Sequence, residues 1–282
     1  MINSPLRYPG GKAKLFPFFA ELIRINNLFA VEYCEAYCGG AGLAIRLLTN
    51  GFVDRVAIND IDISIFAFWK AALGETDKFC KLIETTPITV EEWRRQKAIW
   101  VAGSASNLLT LGFATYFLNR TNHSGIIDGG APIGGYNQSG QWKISARLTK
   151  SAQVDNLRAL AKFSKQIKVT KQDALLFFKT SADGNALIYL DPPYFHQGRN
   201  LYSNFYREKD HVTIARSLAQ KKQRKWVVSY DDVSEIRKLY RGFGRLKYSP
   251  NYSVNRKMIG SEIIFVSDAL TIPATAHFGE AA

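Results

Sequence analysis

The sequence predicts an α/β fold built on a mainly parallel sheet and interrupted by a largely helical insertion. Three observations lead there. Short apolar segments recur between stretches with helical apolar spacing. The first of them runs into a Gly-rich turn, then a helix, then a second apolar segment, which is how a parallel sheet opens. Residues 75–150 break that rhythm with helical stretches and a polar, glycine-laden loop before it resumes.

Taken in order, residues 28–34 (LFAVEYC) read as a strand that enters EAYCGGAG. LAIRLLTNG reads as a helix stopped by Gly51, a residue suited to a C-terminal cap. Residues 53–58 form a second strand ending at Asn59-Asp60, and IDISIFAFWKAAL a helix. EEWRRQKAIW and SNLLTLGFATYFLNR are the insertion's helices, followed by TNHSGIIDGGAPIGGYNQSGQWK. Six glycines between 125 and 140 exclude a regular element there, and loops of that length are functional or disordered. The α/β rhythm returns with a helix in QVDNLRALAKF, a strand in QIKVTKQDA and a buried strand in NALIYL that breaks at Asp191-Pro192-Pro193-Tyr194. HVTIARSLAQ (helix), KWVVSYDD (strand), SEIRKLYRG (helix) and a hairpin over 247–266 complete the series. The expected organisation is a discontinuous domain over 1–74 and 151–282 with the insertion at 75–150.

The bulk properties narrow the function classes. A chain of 282 residues with 46% hydrophobic and 13% aromatic residues is neither disordered nor fibrous. A mean hydropathy of -0.13, with no apolar run near the roughly 20 residues of a membrane span, argues against an integral membrane protein. MINSPLRYPGGK has no apolar signal core, so the expected location is the cytoplasm. Cys34, Cys38 and Cys80 cannot all pair, and neither they nor the four histidines have metal-ligand spacing, so no metal is expected. Thirty-seven Lys and Arg against 24 Asp and Glu give a net charge of +13, which suits a polyanion such as nucleic acid or, less often, an anionic membrane surface. The cations are spread over many segments, so a folded body with a basic face fits better than a basic tail.

Three motifs carry candidate chemistry. Gly39, Gly40 and Gly42 follow the first strand, and Asp60 closes the second. Glycines there let the backbone approach a ligand, and a carboxylate about 20 residues on can hold ribose hydroxyls. The same residues also read as a tight turn with an Asp at the next helix, and the pattern is not GxGxxG. In Asp191-Pro192-Pro193-Tyr194, two prolines fix φ and withhold backbone donors, so the chain leaves the sheet rigidly. Asp191 and the adjoining carbonyls can then accept hydrogen bonds from an exocyclic amino group, and Tyr194 can stack on a base; a rigid turn with a surface Asp is the plain alternative. Arg7-Tyr8-Pro9-Gly10-Gly11-Lys12 invites a phosphate-loop reading. That reading fails, because Lys12 is followed by Ala13 and no strand precedes the segment.

RYPGGK, EAYCGGAG, Asn59-Asp60, the strand leading to Asp173, and DPPY, in this order, resemble the Dam-type (D12 class) DNA adenine-N6 methyltransferases. The resemblance runs from Leu6 to about Phe265, with NYSVNRKMIGSEIIF similar to the family's closing hairpin. It implies a Rossmann-like sheet that binds S-adenosyl-L-methionine. By motif, Tyr8, Lys12, Glu35, Tyr37, Gly39, Asp60, Asp173 and Asp191 are the expected cofactor contacts. Asp191 and Pro192 are expected to accept from the adenine amino group, with Pro193 holding the turn and Tyr194 stacking on the extruded base. Ala36 and Tyr37 stand where the family has Pro and Phe. The expected DNA contacts are Arg120, Asn122, His123, Asn137, Gln138 and Arg147, in a loop expected to be disordered until DNA binds. That loop is similar to the NRTN…SGI…GG…IGG…QWK form of many bacterial members, so a GATC target does not follow. The implied partner is double-stranded DNA, with a cognate restriction endonuclease as a further partner and monomeric action as the default. Related readings are an RNA adenine or a cytosine-N4 methyltransferase, the latter more often having Ser before Pro-Pro. A silent nucleic-acid-binding protein leaves Asp60, Asp191 and Tyr194 without a task, and a nicotinamide dehydrogenase leaves DPPY and the positive charge without one.

Overall fold

Seven strands form one sheet in the computed structural model, which describes residues 2–7, 11–103, 107–181, 185–195, 206–248 and 262–274. They are β1 (Glu32–Glu35), β2 (Arg55–Asn59), β3 (Ile167–Thr170), β4 (Ala186–Leu190), β5 (Lys225–Asp231), β6 (Gly244–Tyr248) and β7 (Glu262–Val266), in the order β3-β2-β1-β4-β5-β7-β6. The first five are mutually parallel, while β7 lies antiparallel to both β5 and β6. The chain steps outward from β1 to β2 and β3, then returns to place β4 on the other side of β1. That reversal opens a crevice beyond the carboxyl ends of β1 and β4, where doubly wound sheets bind ligands.

The helices among the described residues are α1 (Phe16–Ile25), α2 (Gly42–Thr49), α3 (Ile63–Gly74), α4 (Thr76–Thr85), α5 (Val90–Ala102), α6 (Leu108–Thr121), α7 (Lys150–Ala161), α8 (Ala174–Thr180), α9 (Glu208–Gln220) and α10 (Ser234–Leu239). Alternation along the strands divides the core in two. In β4, Leu187 and Tyr189 pack with α1 to α7, whereas Ala186, Ile188 and Leu190 pack with α8, α9 and α10. No described helix is long and apolar enough to cross a membrane.

The sequence reading left α1, α4 and α8 unassigned. Phe16-Pro17 opens α1, because proline is tolerated in a first helical turn where its missing N–H has no partner to lose. The expected strand over 28–34 begins later, at Glu32. Residues before it are still closing α1: Asn27 has a left-handed φ of 53° and the Leu28 N–H donates to Ile23 O at 2.9 Å. The strand read in QIKVTKQDA stops at Thr170, since Asp173 caps α8 by accepting from Leu175 N (2.9 Å) and Leu176 N (3.1 Å). Of the expected hairpin, residues 249–261 lie outside the described residues.

The segment 75–150 shares its core with the sheet domain. Phe68 of α3 stacks on Tyr116 of α6 at 6.1 Å, and Phe79 of α4 meets the Tyr116 ring edge-on at 5.5 Å. A Cβ at Gly112 would lie 2.6 Å from Ala67 O, so glycine is what lets α6 cross α3 this closely.

Candidate active site at the carboxyl edge of the sheet

Glu35 ends β1 and is buried. Its Oε1 accepts from Tyr33 OH and from Ala44 N, both at 3.0 Å, and burial pushes its pKa up to about 8. Ala36 N donates to Tyr189 O, which ties the turn to β4. Gly39 N donates to Asp60 Oδ2 (2.9 Å), Trp69 Nε1 donates to Gly39 O (2.9 Å), and Asp62 N donates to Asp60 Oδ1 (3.0 Å). Burial raises Asp60 to about 6 against the opposing effect of those backbone donors. The helix cap at this point is Asp62, which accepts from Ser64 N at 2.8 Å, so Asp60 is not the capping residue. Buried Asn59 holds the turns together, donating to Ala36 O and Gln172 O and accepting from Thr170 Oγ1 and Gln172 N. Tyr37 OH lies 3.1 Å from Tyr206 OH. Asp173 stands at the α8 N-terminus, and Tyr8 lies outside the described residues.

Across the crevice, Asp191 follows β4. Ser229 Oγ of β5 donates to Asp191 Oδ1 at 2.7 Å and lies 2.7 Å from Tyr189 OH. Lys12 Nζ pairs with Asp191 Oδ2 at 3.2 Å. Burial still raises Asp191 to about 6, because Lys12 lowers it less than desolvation, aided by Glu262, raises it. Tyr194 OH donates to Glu262 Oε1 (2.6 Å) and accepts from Lys12 Nζ (2.6 Å), which also lies over its ring at 4.9 Å. Pro192 and Pro193 are buried, and Phe195 N donates to Asp231 Oδ1 at 2.9 Å, which anchors the far end of the turn. Sequence reasoning missed Ser229, Tyr189 and Glu262. A lone Ser within the apolar strand KWVVSY is a legible signal, whereas Glu262 reaches the site only through a sheet order that the sequence does not display.

The loop after α6 is tied to its surroundings by its own side chains. Asn119 is buried, accepts from Arg7 N (2.7 Å), and donates to Arg7 O (2.8 Å) and Gly125 O (2.9 Å). Gly125, at φ 76°, touches the Arg7 carbonyl so closely that no Cβ fits. Asn122, expected at a base edge, is instead buried scaffold. It accepts from Trp93 Nε1 and donates to Ile126 O, both at 2.6 Å, which leaves no free edge for DNA. Gln138 likewise donates to Ile133 O (2.8 Å) and Gly135 O (2.6 Å) and accepts from Ile144 N (2.8 Å). His123, Asn137 and Arg147 are exposed, as are the large rings Tyr136 and Trp142. Arg7, Arg120 and Arg147 gather beside the loop: burial lowers the pKa of Arg7 and of Arg120, the Arg147 charge lowers both further, and the Arg7 charge adds to the lowering of Arg120. Among the described residues none of the three has a carboxylate partner.

Comparison with known proteins matches the sequence that builds this site to a family. A family model described as D12 class N6 adenine-specific DNA methyltransferase matches residues 8–254. No curated protein matches the chain. The match takes in the Gly-rich turn, Asp60, the arginine-bearing loop and the DPPY turn, and on that span the chain belongs to the D12 class of N6 adenine-specific DNA methyltransferases.

Proposed function

We propose that this DNA adenine methyltransferase uses S-adenosyl-L-methionine to methylate N6 of an adenine extruded from a specific double-stranded sequence, by direct in-line attack without a covalent enzyme intermediate. The observation that carries the reading is Asp191, held by Ser229 across the crevice from Glu35, Gly39 and Asp60. Glu35 and Asp60 are carboxylates raised by burial, and no cation contributes to either shift. That donor set fits a ligand bearing positive charge and ribose hydroxyls. Glu35 would face its charged end, Asp60 its hydroxyls, and the turn at Tyr37–Gly39 its backbone approach, with Lys12 and Asp173 completing the surround.

When bound, S-adenosyl-L-methionine supplies an electrophilic methyl group on sulfur. The protein's task is the nucleophile. The adenine amino nitrogen has its lone pair delocalised into the ring. Asp191 and the Pro192 carbonyl, as acceptors, favour a pyramidal nitrogen whose lone pair is localised for attack. Attack on that methyl group would form the N–C bond while sulfur kept the electrons of the broken C–S bond, and Asp191 would be the first acceptor of the proton lost from N6. Positioning supplies most of the acceleration, since aligned reactants replace a bimolecular encounter. Extruding the base costs a few kcal/mol of unstacking, about what stacking on Tyr194 can offset.

For DNA, the partly buried Arg7 and Arg120 with Arg147 beside them form a cationic pocket suited to a backbone phosphate, which offsets their mutual repulsion. Exposed His123, Asn137 and Arg147 remain available to base edges or phosphates. We assign target recognition to 75–150, and cytoplasmic, monomeric action beside a cognate endonuclease is the working picture. The test is nucleoside mass spectrometry of unmethylated DNA incubated with protein and S-adenosyl-L-methionine. N6-methyladenine is expected, and N4-methylcytosine or an unmodified product overturns the reading.

A further inference from the structure

Asp191 cannot serve the adenine amino group with both oxygens as they stand. Its Oδ1 accepts from Ser229, and its Oδ2 is paired with Lys12 at 3.2 Å. A substrate amino group that donates to Oδ2 therefore competes with a cation already there. The same Lys12 Nζ lies 3.3 Å from Glu262 Oε1 and donates to Tyr194 OH. Glu262, the first residue of the antiparallel strand β7, is buried, and its Oε2 has no hydrogen-bond partner among the described residues. A buried carboxylate oxygen without a donor costs free energy unless something is delivered to it.

We propose that Glu262 is a positioning residue for the methyl-transfer step: it receives the Lys12 ammonium when the adenine amino group takes Asp191, and it holds the Tyr194 hydroxyl so that the ring is fixed as the base's stacking face. The inference rests on the adenine-methyltransferase reading above. Two features carry it. The shift required of Lys12 is small, because its nitrogen is already nearly equidistant from the two carboxylates. The lysine charge also stays in the site throughout, so Asp191 is never left facing a second buried anion without a cation between them.

The groups facing Asp191 are Lys12 from the N-terminal turn, Glu35 from β1, Tyr189 from β4, Tyr194 after it, Ser229 from β5 and Glu262 from β7. Of these, the Glu262 charge raises Asp191 and the Lys12 charge lowers it. Replacing Glu262 by an uncharged isostere therefore moves the acid limb of the rate profile to lower pH, and a purely structural role gives no such displacement.

The test compares wild type with Glu262→Gln, which keeps an acceptor for Tyr194 but removes the charge. Single-turnover methylation of DNA is measured across pH, beside binding of S-adenosyl-L-methionine and of DNA. Glu262→Gln is expected to slow methyl transfer by about tenfold or more, a barrier change of ~1.4 kcal/mol, with both affinities within about twofold of wild type and the acid limb displaced downward. A wild-type rate with an undisplaced profile overturns the assignment. If Glu262→Gln does not fold, Tyr194→Phe carries the test: loss of the hydroxyl alone must slow transfer without weakening cofactor binding, and an unchanged rate overturns the proposal. A wild-type protein that methylates no DNA overturns the activity reading and this inference with it, whereas an active wild type beside an unimpaired variant strikes Glu262 alone.

Discussion

At the carboxyl edge of the sheet, Glu35, Asp60, Asp191 and Glu262 are four carboxylates of which Lys12 pairs with two, Asp191 and Glu262, whereas beside the 119–147 loop Arg7, Arg120 and Arg147 gather with no ion-paired carboxylate among the described residues. Both regions are polar and partly or wholly buried. They differ in sign. Desolvating an excess of one charge costs stability, and the molecule bears that cost twice, in opposite senses. The difference separates two tasks: the anionic edge suits a ligand with positive charge, and the cationic loop suits a phosphate backbone.

The comparison breaks most sharply at Asp191. Asp191→Ala removes the acceptor for the adenine amino group and is expected to lower turnover by a factor on the order of 10³, with DNA binding and the melting temperature close to wild type. Retained turnover in a single-turnover assay would remove the anionic edge from the chemistry. The pH profile tests the same group without mutation. Asp191 must be ionised to take the proton from N6, and its pKa is raised to about 6, so the rate is expected to fall as pH drops through about 6 and to level off above it.

Glu35 sharpens the stability side. Its folded-state pKa is raised from 4.5 to about 8, so the folded protein binds the extra proton. The ligand-free protein should therefore lose stability as pH rises from about 4.5 to about 8. Glu35→Gln is expected to flatten that dependence in thermal melts at several pH values, while weakening S-adenosyl-L-methionine binding by about tenfold in calorimetry. A variant with unchanged affinity and an unchanged melt profile contradicts a cation-binding role for this edge.

The fold's rhythm was legible because strand and helix periods differ. β2, β4, β5 and most helices follow from apolar spacing, and Gly39, Asp60 and Asp191 from turn chemistry. Helix α8 was not legible, since its seven residues give little periodicity and its cap, Asp173, resembles a ligand residue as much as a cap. The loop misled in a different way. Asn122 and Gln138 look like base-reading side chains, but a loop with many glycines leaves backbone groups that only such side chains can satisfy, and they are used there. Glu262 reaches Asp191 through sheet order, which adjacent residues do not encode, whereas Ser229 stands out as a lone hydroxyl in an apolar strand.

The loop offers the two smallest effects. Asn122→Ala strips partners from Trp93 Nε1 and Ile126 O, and a loss of roughly 1–3 kcal/mol in denaturant unfolding is expected. Arg120→Ala is expected to reduce the salt dependence of DNA binding by about one unit of slope, leaving cofactor affinity untouched. An unchanged slope in anisotropy titrations would empty the pocket of its phosphate.

The measurement closest to the central claim is nucleoside mass spectrometry of unmethylated plasmid treated with S-adenosyl-L-methionine and either wild type or Asp191→Ala. The account predicts N6-methyladenine from the wild type and none above background from the variant. N6-methyladenine in equal amounts from both, or in neither, would contradict it.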